Sequence, residues 1–172
     1  MQVHRINFSG AILERGFWLY FWRIKYINTE FVYVGRTGDS SSRFAASPFS
    51  RLSRHLDVSE SASANMLLRH VKQRGFDPIS CSFEMVALGP FFTEQHSLAQ
   101  HRKIRDIVAP LESALALYLR QKGFDVVGSH PTVGEVDKEL FLKIQSAVDE
   151  VLRLDNKHLE LMSSPHENDS ES

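Results

Sequence analysis

The chain has 172 residues, 42% hydrophobic and 24% charged, the profile of about one ordinary globular domain; wholesale disorder and a disulfide mini-scaffold are excluded. Twenty Lys and Arg against 21 Asp and Glu give a formal charge of -1, which excludes a polycation that grips nucleic acid by bulk charge alone. The single cysteine, Cys81, excludes an internal disulfide and a cysteine zinc cage, and fits a reducing, cytoplasmic location.

In chain order, residues 1–15 are interrupted by His4, Arg5, Asn7 and Glu14 and lack the continuous apolar core of a signal peptide. The densest apolar run, Phe17 to Trp22, falls far short of the ~20 residues that cross a bilayer, so no membrane partner is expected. Residues 16–26 are dense in aromatics and predict a strand. Ile27-Asn28-Thr29-Glu30 supplies a turn, and Phe31 to Gly35 returns as the second strand of an antiparallel hairpin. Residues 36–48, with Gly38, Asp39, three serines and Pro48, read as a loop. A helix follows, with Ser47 as its cap and Pro48 at its first position, and it carries Arg51 and His55 on one face.

Residues 63–74 predict a second helix stopped by Gly75, and the alternation over 79–88 predicts a third strand. Residues 94–108 and 110–122 predict two helical stretches separated or kinked at Pro110, closed by Gly123. Residues 124–127 form a short apolar segment. After Pro131 the character changes: Val136, Leu140, Ile144, Val148, Val151 and Leu154 make a helical stripe, and 162–172 are polar and predicted disordered.

The expected fold is therefore α+β: a small, mainly antiparallel sheet flanked by helices over residues 1–130, then an added C-terminal helix and acidic tail over 131–172. The charge divides the same way. Residues 1–130 carry 16 Lys and Arg against 11 Asp and Glu, a surplus of five, while 131–172 carry 4 against 10, a deficit of six.

Several chemistry-bearing residues fall on this frame in order. The hairpin places Tyr20 in one strand and Tyr33 in its partner; the next helix offers Arg51, Arg54 and His55; and Glu112 lies among apolar neighbours near the start of a later helix. Taken singly, each has a structural role to hand: strand aromatics pack, helix arginines are solvated, and a glutamate at a helix start meets the macrodipole. Taken together, Trp18-Leu19-Tyr20, Tyr33-Val34-Gly35, Arg51-Leu52-Ser53-Arg54-His55 and Leu111-Glu112-Ser113-Ala114-Leu115 resemble the motifs of the GIY-YIG nuclease family, most closely its restriction-enzyme-like branch.

The resemblance implies a metal-dependent endonuclease acting on DNA. Glu112 would hold a single Mg²⁺ or Mn²⁺, a hard cation that takes carboxylate oxygen and keeps several waters. Arg51 would pair with the scissile phosphate through its planar fork. Tyr20 and Tyr33 are assigned jointly to activating the attacking water, with His55 as the alternative proton relay. Arg36, Arg43 and Arg54 are the expected nucleic-acid contacts. Arg43 lies at the distance from Gly35 found in short-loop members, and the Arg-x-x-x-His spacing favours Arg51 as the catalytic arginine. The family commonly has an asparagine near the position of Gly128, where this chain has no polar side chain. With one site per chain, cutting both strands at once would take a homodimer. The alternative expectation is a catalytically inactive module of the same fold that binds nucleic acid or protein. Two other patterns are weak: Glu94, His96 and His101 do not share a helix face as a metal set would, and Gly35-Arg36-Thr37-Gly38 lacks the ending of a nucleotide phosphate loop.

Overall fold

The computed structural model describes residues 1–39 and 42–163, and of residues 156 and 158–163 the backbone alone. It is α+β, with a four-stranded sheet between helices. A 3-10 turn at Gly10–Leu13 leads into β1 (Gly16–Tyr26), which pairs antiparallel with β2 (Thr29–Arg36). Two short helices follow, α1 (Pro48–His55) and α2 (Met66–Gln73), then β3 (Ser82–Thr93), the long helix α3 (Leu98–Gln121) and β4 (Val126–Val127). The strand order is β3-β1-β2-β4. The first compact unit spans Met1–Asp137; the second begins at Lys138 with helix α4 (Lys138–Ser163).

The central strand dictates the arrangement. Nine successive residues of β1, from Gly16 to Ile24, are buried, because both faces of the sheet are covered. Alternation sends Tyr20, Trp22 and Ile24 to one face, where with Phe31, Leu67, Val71 and Val127 they form a core packed by α1 and α2. The opposite face meets α3, whose Val108, Leu111, Leu115, Ala116 and Leu119 are fully buried. Phe17 on that side lies 5.0 Å from the ring of His101 on α3. At the open end of the hairpin Thr37 extends the pairing: its hydroxyl donates to the Gly16 carbonyl at 2.5 Å and accepts from the Trp18 amide at 2.8 Å. At the closed end Arg23 is buried between Glu30 (2.7 Å) and Glu84 (3.2 Å), which supply the charges its guanidinium needs away from water.

Most expected elements are present, with corrections at their edges. The sheet is mixed rather than mainly antiparallel, because β4 runs parallel to β2, with Val32↔Val126 and Tyr33↔Val127 in register. The Val32 amide donates to the Asp125 carbonyl at 2.8 Å, and Asp125 pairs with Arg74 at 2.8 Å, so this two-residue strand is tied at its entry. The third strand begins at Ser82, not 79: Pro78–Ser80 is a 3-10 turn capped by Asp77, which leaves Ile79 exposed, and the strand continues to Thr93. Of the expected separation or kink at Pro110, the separation is absent; α3 is one helix of 24 residues with Pro110 buried inside it. The lost hydrogen bond at proline is outweighed there by the apolar side chains on either side, which pack against the sheet. The second helix starts at Met66 rather than 63, and Gly75 (φ 77°) ends it as expected. In the second unit, α4 presents the expected apolar stripe and runs through Ser163, into the stretch expected to be disordered; the remainder of that stretch, 164–172, lies outside the described residues.

The β1–β2 turn holds the one described non-glycine residue at positive φ, Ile27 (φ 52°), which is 83% exposed. A left-handed conformation costs an L-residue about 1–2 kcal/mol, whereas glycine adopts it freely at the cost of a looser unfolded chain. Ile27→Gly should therefore raise stability by about 0.5–1 kcal/mol, seen as a higher urea midpoint with an unchanged slope. Trp18 and Trp22, the only tryptophans, both lie in β1, so their fluorescence reports the unfolding of this sheet.

Candidate functional site

The site is built across the hairpin. Tyr20 stands opposite Gly35 in the β1–β2 register, and its ring crosses the β2 backbone so closely that a Cβ on Gly35 would lie 2.6 Å from Cε2, Cζ and Oη. Glycine is required there by contact rather than by turn geometry. Helix α1 starts as the sequence predicts, with the Ser47 side chain accepting from the Ser50 amide and Pro48 in the first position. One further turn brings His55 over the sheet. Tyr20 Oη and His55 Nε2 share a buried hydrogen bond of 2.9 Å. The imidazole also stands edge-on to Tyr33, with ring centroids 5.2 Å apart.

The charged residues form two pairs at the same end of the hairpin. Arg36, on the α3 side of β2, donates through Nε to Glu112 Oε2 at 2.7 Å, both side chains being largely buried. Arg51 on α1 pairs with Asp39 of the loop between β2 and α1. Neither guanidinium is fully satisfied: Arg36 Nη1 and Arg51 Nε are buried with no partner among the described residues.

The electrostatics follow from burial. Tyr20 is sealed in the core, and loss of hydration pushes its phenol far above the usual value, with Arg51 and Arg36 offsetting only part of this while Tyr33 and Glu112 add to it. Tyr33 is half-buried and shifted upward, by burial first and then by the Glu112 carboxylate, against a lowering from Arg51. Burial, and then the Arg51 charge, lower the His55 imidazole to about 4, so it is neutral at pH 7. Both phenols and this imidazole are therefore uncharged at neutral pH, beside charges that are paired.

Of the residues singled out in the sequence, Tyr20, Tyr33, Arg36, Arg51, His55 and Glu112 come together here. Arg43 does not: its Nη1 donates to the His96 carbonyl at 3.0 Å and its guanidinium lies 4.7 Å above the Phe44 ring, whereas the Arg51 charge acts on both tyrosines. Arg54 is exposed and borders a cavity beside Arg51. The Glu94, His96 and His101 pattern disperses. Glu94 pairs with Arg15, and His101 is fully buried and donates through Nε2 to the Gly38 carbonyl at 3.0 Å. Among the described residues no group of three or more His, Cys, Asp or Glu could hold a metal ion.

Two histidines went unnoticed in the sequence. The ring of His70 on α2 lies 5.8 Å from that of Tyr33, and His130 donates through Nε2 to the Val34 carbonyl at 3.2 Å. Both border Gly128 (φ 90°), where a Cβ would stand 3.3 Å from His130 Cε1 and 3.6 Å from His70 Nε2. Gly128 is thus a tight glycine walled by imidazoles. Nothing in the local sequence of His70 or His130 signals this; the β4 crossover brings them together.

Comparison of the chain with protein-family models, with curated proteins and with solved structures finds no match in any of the three.

Two stability tests follow from the Tyr20–His55 contact. Gly35→Ala should displace the Tyr20 ring and lower stability by about 1–3 kcal/mol, the usual cost of overpacking, read from the urea midpoint. Unfolding releases a neutral His55 that regains its ordinary affinity for protons, so the contribution of this ring is full above about pH 6.5 and is lost as pH falls toward about 4. The loss is on the order of 3 kcal/mol. Unfolding free energies measured in steps from pH 7 to 4 should fall less steeply in His55→Gln than in the wild type.

Proposed function

We propose that the chain is a divalent-metal-dependent endonuclease that hydrolyses DNA phosphodiester bonds at the Tyr20–Tyr33–His55–Arg51–Glu112 site. One observation carries the reading. Two largely buried guanidiniums, each with an N–H that has no partner among the described residues, act electrostatically on Tyr20, which is hydrogen-bonded to His55, and one of them is paired with Glu112. A phosphodiester presents the oxygens that such donors bind, and the motif order resembles that of the GIY-YIG nucleases.

On this reading Arg51 and Arg36 hold the scissile phosphate and stabilise the charge that grows on its oxygens. Tyr33, the less buried phenol, is the one able to reach solvent, and as a protonated group it aims the attacking water by a hydrogen bond. Tyr20 has no access to water; it fixes the His55 ring through Nε2. His55, neutral but weakly basic, is the relay for the proton the water loses. For the cation, Glu112 is the available ligand: one carboxylate, with Oε2 held by Arg36, suits an ion that keeps most of its waters and takes its other oxygens from phosphate. Bound there, Mg²⁺ or Mn²⁺ would lower the pKa of a coordinated water and neutralise phosphate charge.

The second reading, a non-catalytic nucleic-acid-binding module of the same fold, is favoured by the Arg36–Glu112 pair itself, in which a cationic side chain occupies the carboxylate a metal would need. Supercoiled plasmid incubated with purified protein and Mn²⁺ or Mg²⁺ separates the two. The nuclease reading expects nicking that Glu112→Gln reduces by at least about 100-fold in a variant that still melts cooperatively, at a somewhat lower temperature because Arg36 loses its carboxylate, as expected when a charge-stabilising group is removed. Absence of nicking by the wild type with either ion, together with salt-sensitive DNA binding, would establish the second reading instead.

A further inference from the structure

Against α1 and the loop that leads into it lies a cavity of about 200 Å³ lined by Arg15, Asp39, Ser47, Ser50, Arg51 and Arg54 among others. Its volume corresponds to about six or seven waters, enough for one tetrahedral anion with part of its hydration. Three guanidiniums from two parts of the chain meet here: Arg15 from the entry to β1, Arg51 and Arg54 from α1. Asp39 is the one acid on the wall. Ser47 and Ser50 set the first turn of α1 against the same space, and the amide end of a helix favours negative charge.

The arginines are held in unequal ways. Arg15 reaches Glu94 at 2.7 Å with its side chain half-exposed, an ion pair that solvent screens strongly. Arg54 meets no carboxylate among the described residues. Arg51 is mostly buried and paired with the half-exposed Asp39, and its Nε has no partner among the described residues.

We propose that this cavity binds a phosphate group through Arg15, Arg51 and Arg54, and that Asp39 is a resident competitor, a carboxylate that occupies Arg51 until phosphate displaces it. Phosphate offers more oxygens than a carboxylate and engages all three arginines at once, whereas Asp39 engages one. The group recognised is either a free phosphate or a backbone phosphate next to the one hydrolysed, with Arg51 then bridging the two phosphates; only the second source rests on the nuclease reading. Asp39 then sets the threshold, holding Arg51 against weakly bound anions.

The test titrates the full chain with inorganic phosphate at low ionic strength by calorimetry, and in parallel with a fluorescein-labelled 12-base-pair DNA duplex by anisotropy. The variants are Arg15→Gln, Arg54→Gln and Asp39→Asn, all at partly or fully exposed positions, with melting curves confirming that each folds. Arg15→Gln and Arg54→Gln should each weaken phosphate about tenfold, and Asp39→Asn should tighten it by a similar factor, the scale of one charge-assisted hydrogen bond. Equal losses for the duplex identify a backbone phosphate as the ligand; losses confined to inorganic phosphate identify the free anion. Phosphate affinity indifferent to both arginine substitutions, or no binding by either the wild type or Asp39→Asn, overturns the proposal. Phosphate binding with this variant pattern in a protein that nicks no plasmid would sink the nuclease reading and leave the site standing.

Discussion

The register of one strand sorts every other part of the first unit. Because β1 is buried on both faces from Gly16 to Ile24, a slip of a single residue would exchange Tyr20 and Trp22 for Phe21 and Arg23 beneath α1, placing a charge in the core. The pairing is therefore held at both ends, by Thr37 bridging Gly16 and Trp18 and by Arg23 clasped between Glu30 and Glu84. The same register separates the chemistry. Tyr20 and Tyr33 face α1 and so meet His55, while Arg36, three residues on from Tyr33, faces α3 and so meets Glu112. Gly35 joins the two halves, because only a residue without a side chain leaves room for the Tyr20 ring above the strand.

At rest the site is balanced rather than highly charged. Each of its two largely buried arginines has one carboxylate, Glu112 or Asp39, and each retains a donor without a partner among the described residues. Removing a guanidinium from water is tolerable only with such pairing. The near-neutral charge of the whole chain conceals this arrangement. It averages a basic first unit with an acidic C-terminal region, and within the first unit the Arg36 to His55 stretch contributes four arginines against one aspartate.

Several details turned on forces that local sequence does not carry. Pro110 reads as a break or a kink, and α3 passes through it unbroken because the flanking Val108 and Leu111 are buried against the sheet and packing outweighs one missing hydrogen bond. Ile79 and Cys81 continue an alternating pattern, yet Pro78 and the Asp77 cap fold the segment into a 3-10 turn before β3 begins. β4 is two residues long, below what periodicity can detect, and its parallel pairing with β2 makes the sheet mixed. That crossover also draws His130 to Val34 and walls Gly128 with His70, a neighbourhood contributed by three distant segments.

The sequence by itself determined the hairpin, the capped helix carrying Arg51 and His55, the glycine helix stops at 75 and 123 and the division of charge along the chain, because these rest on short-range pattern and composition. Only the tertiary structure decided what each residue faces. The Arg51 rather than Arg43 placement, the Arg36–Glu112 pair across 76 positions, the uncharged state of His55 and the three-arginine cavity arise from burial and from contacts between remote segments. Ion pairing and desolvation depend on distance in space, and the order of residues along the chain fixes that distance only after the sheet has closed.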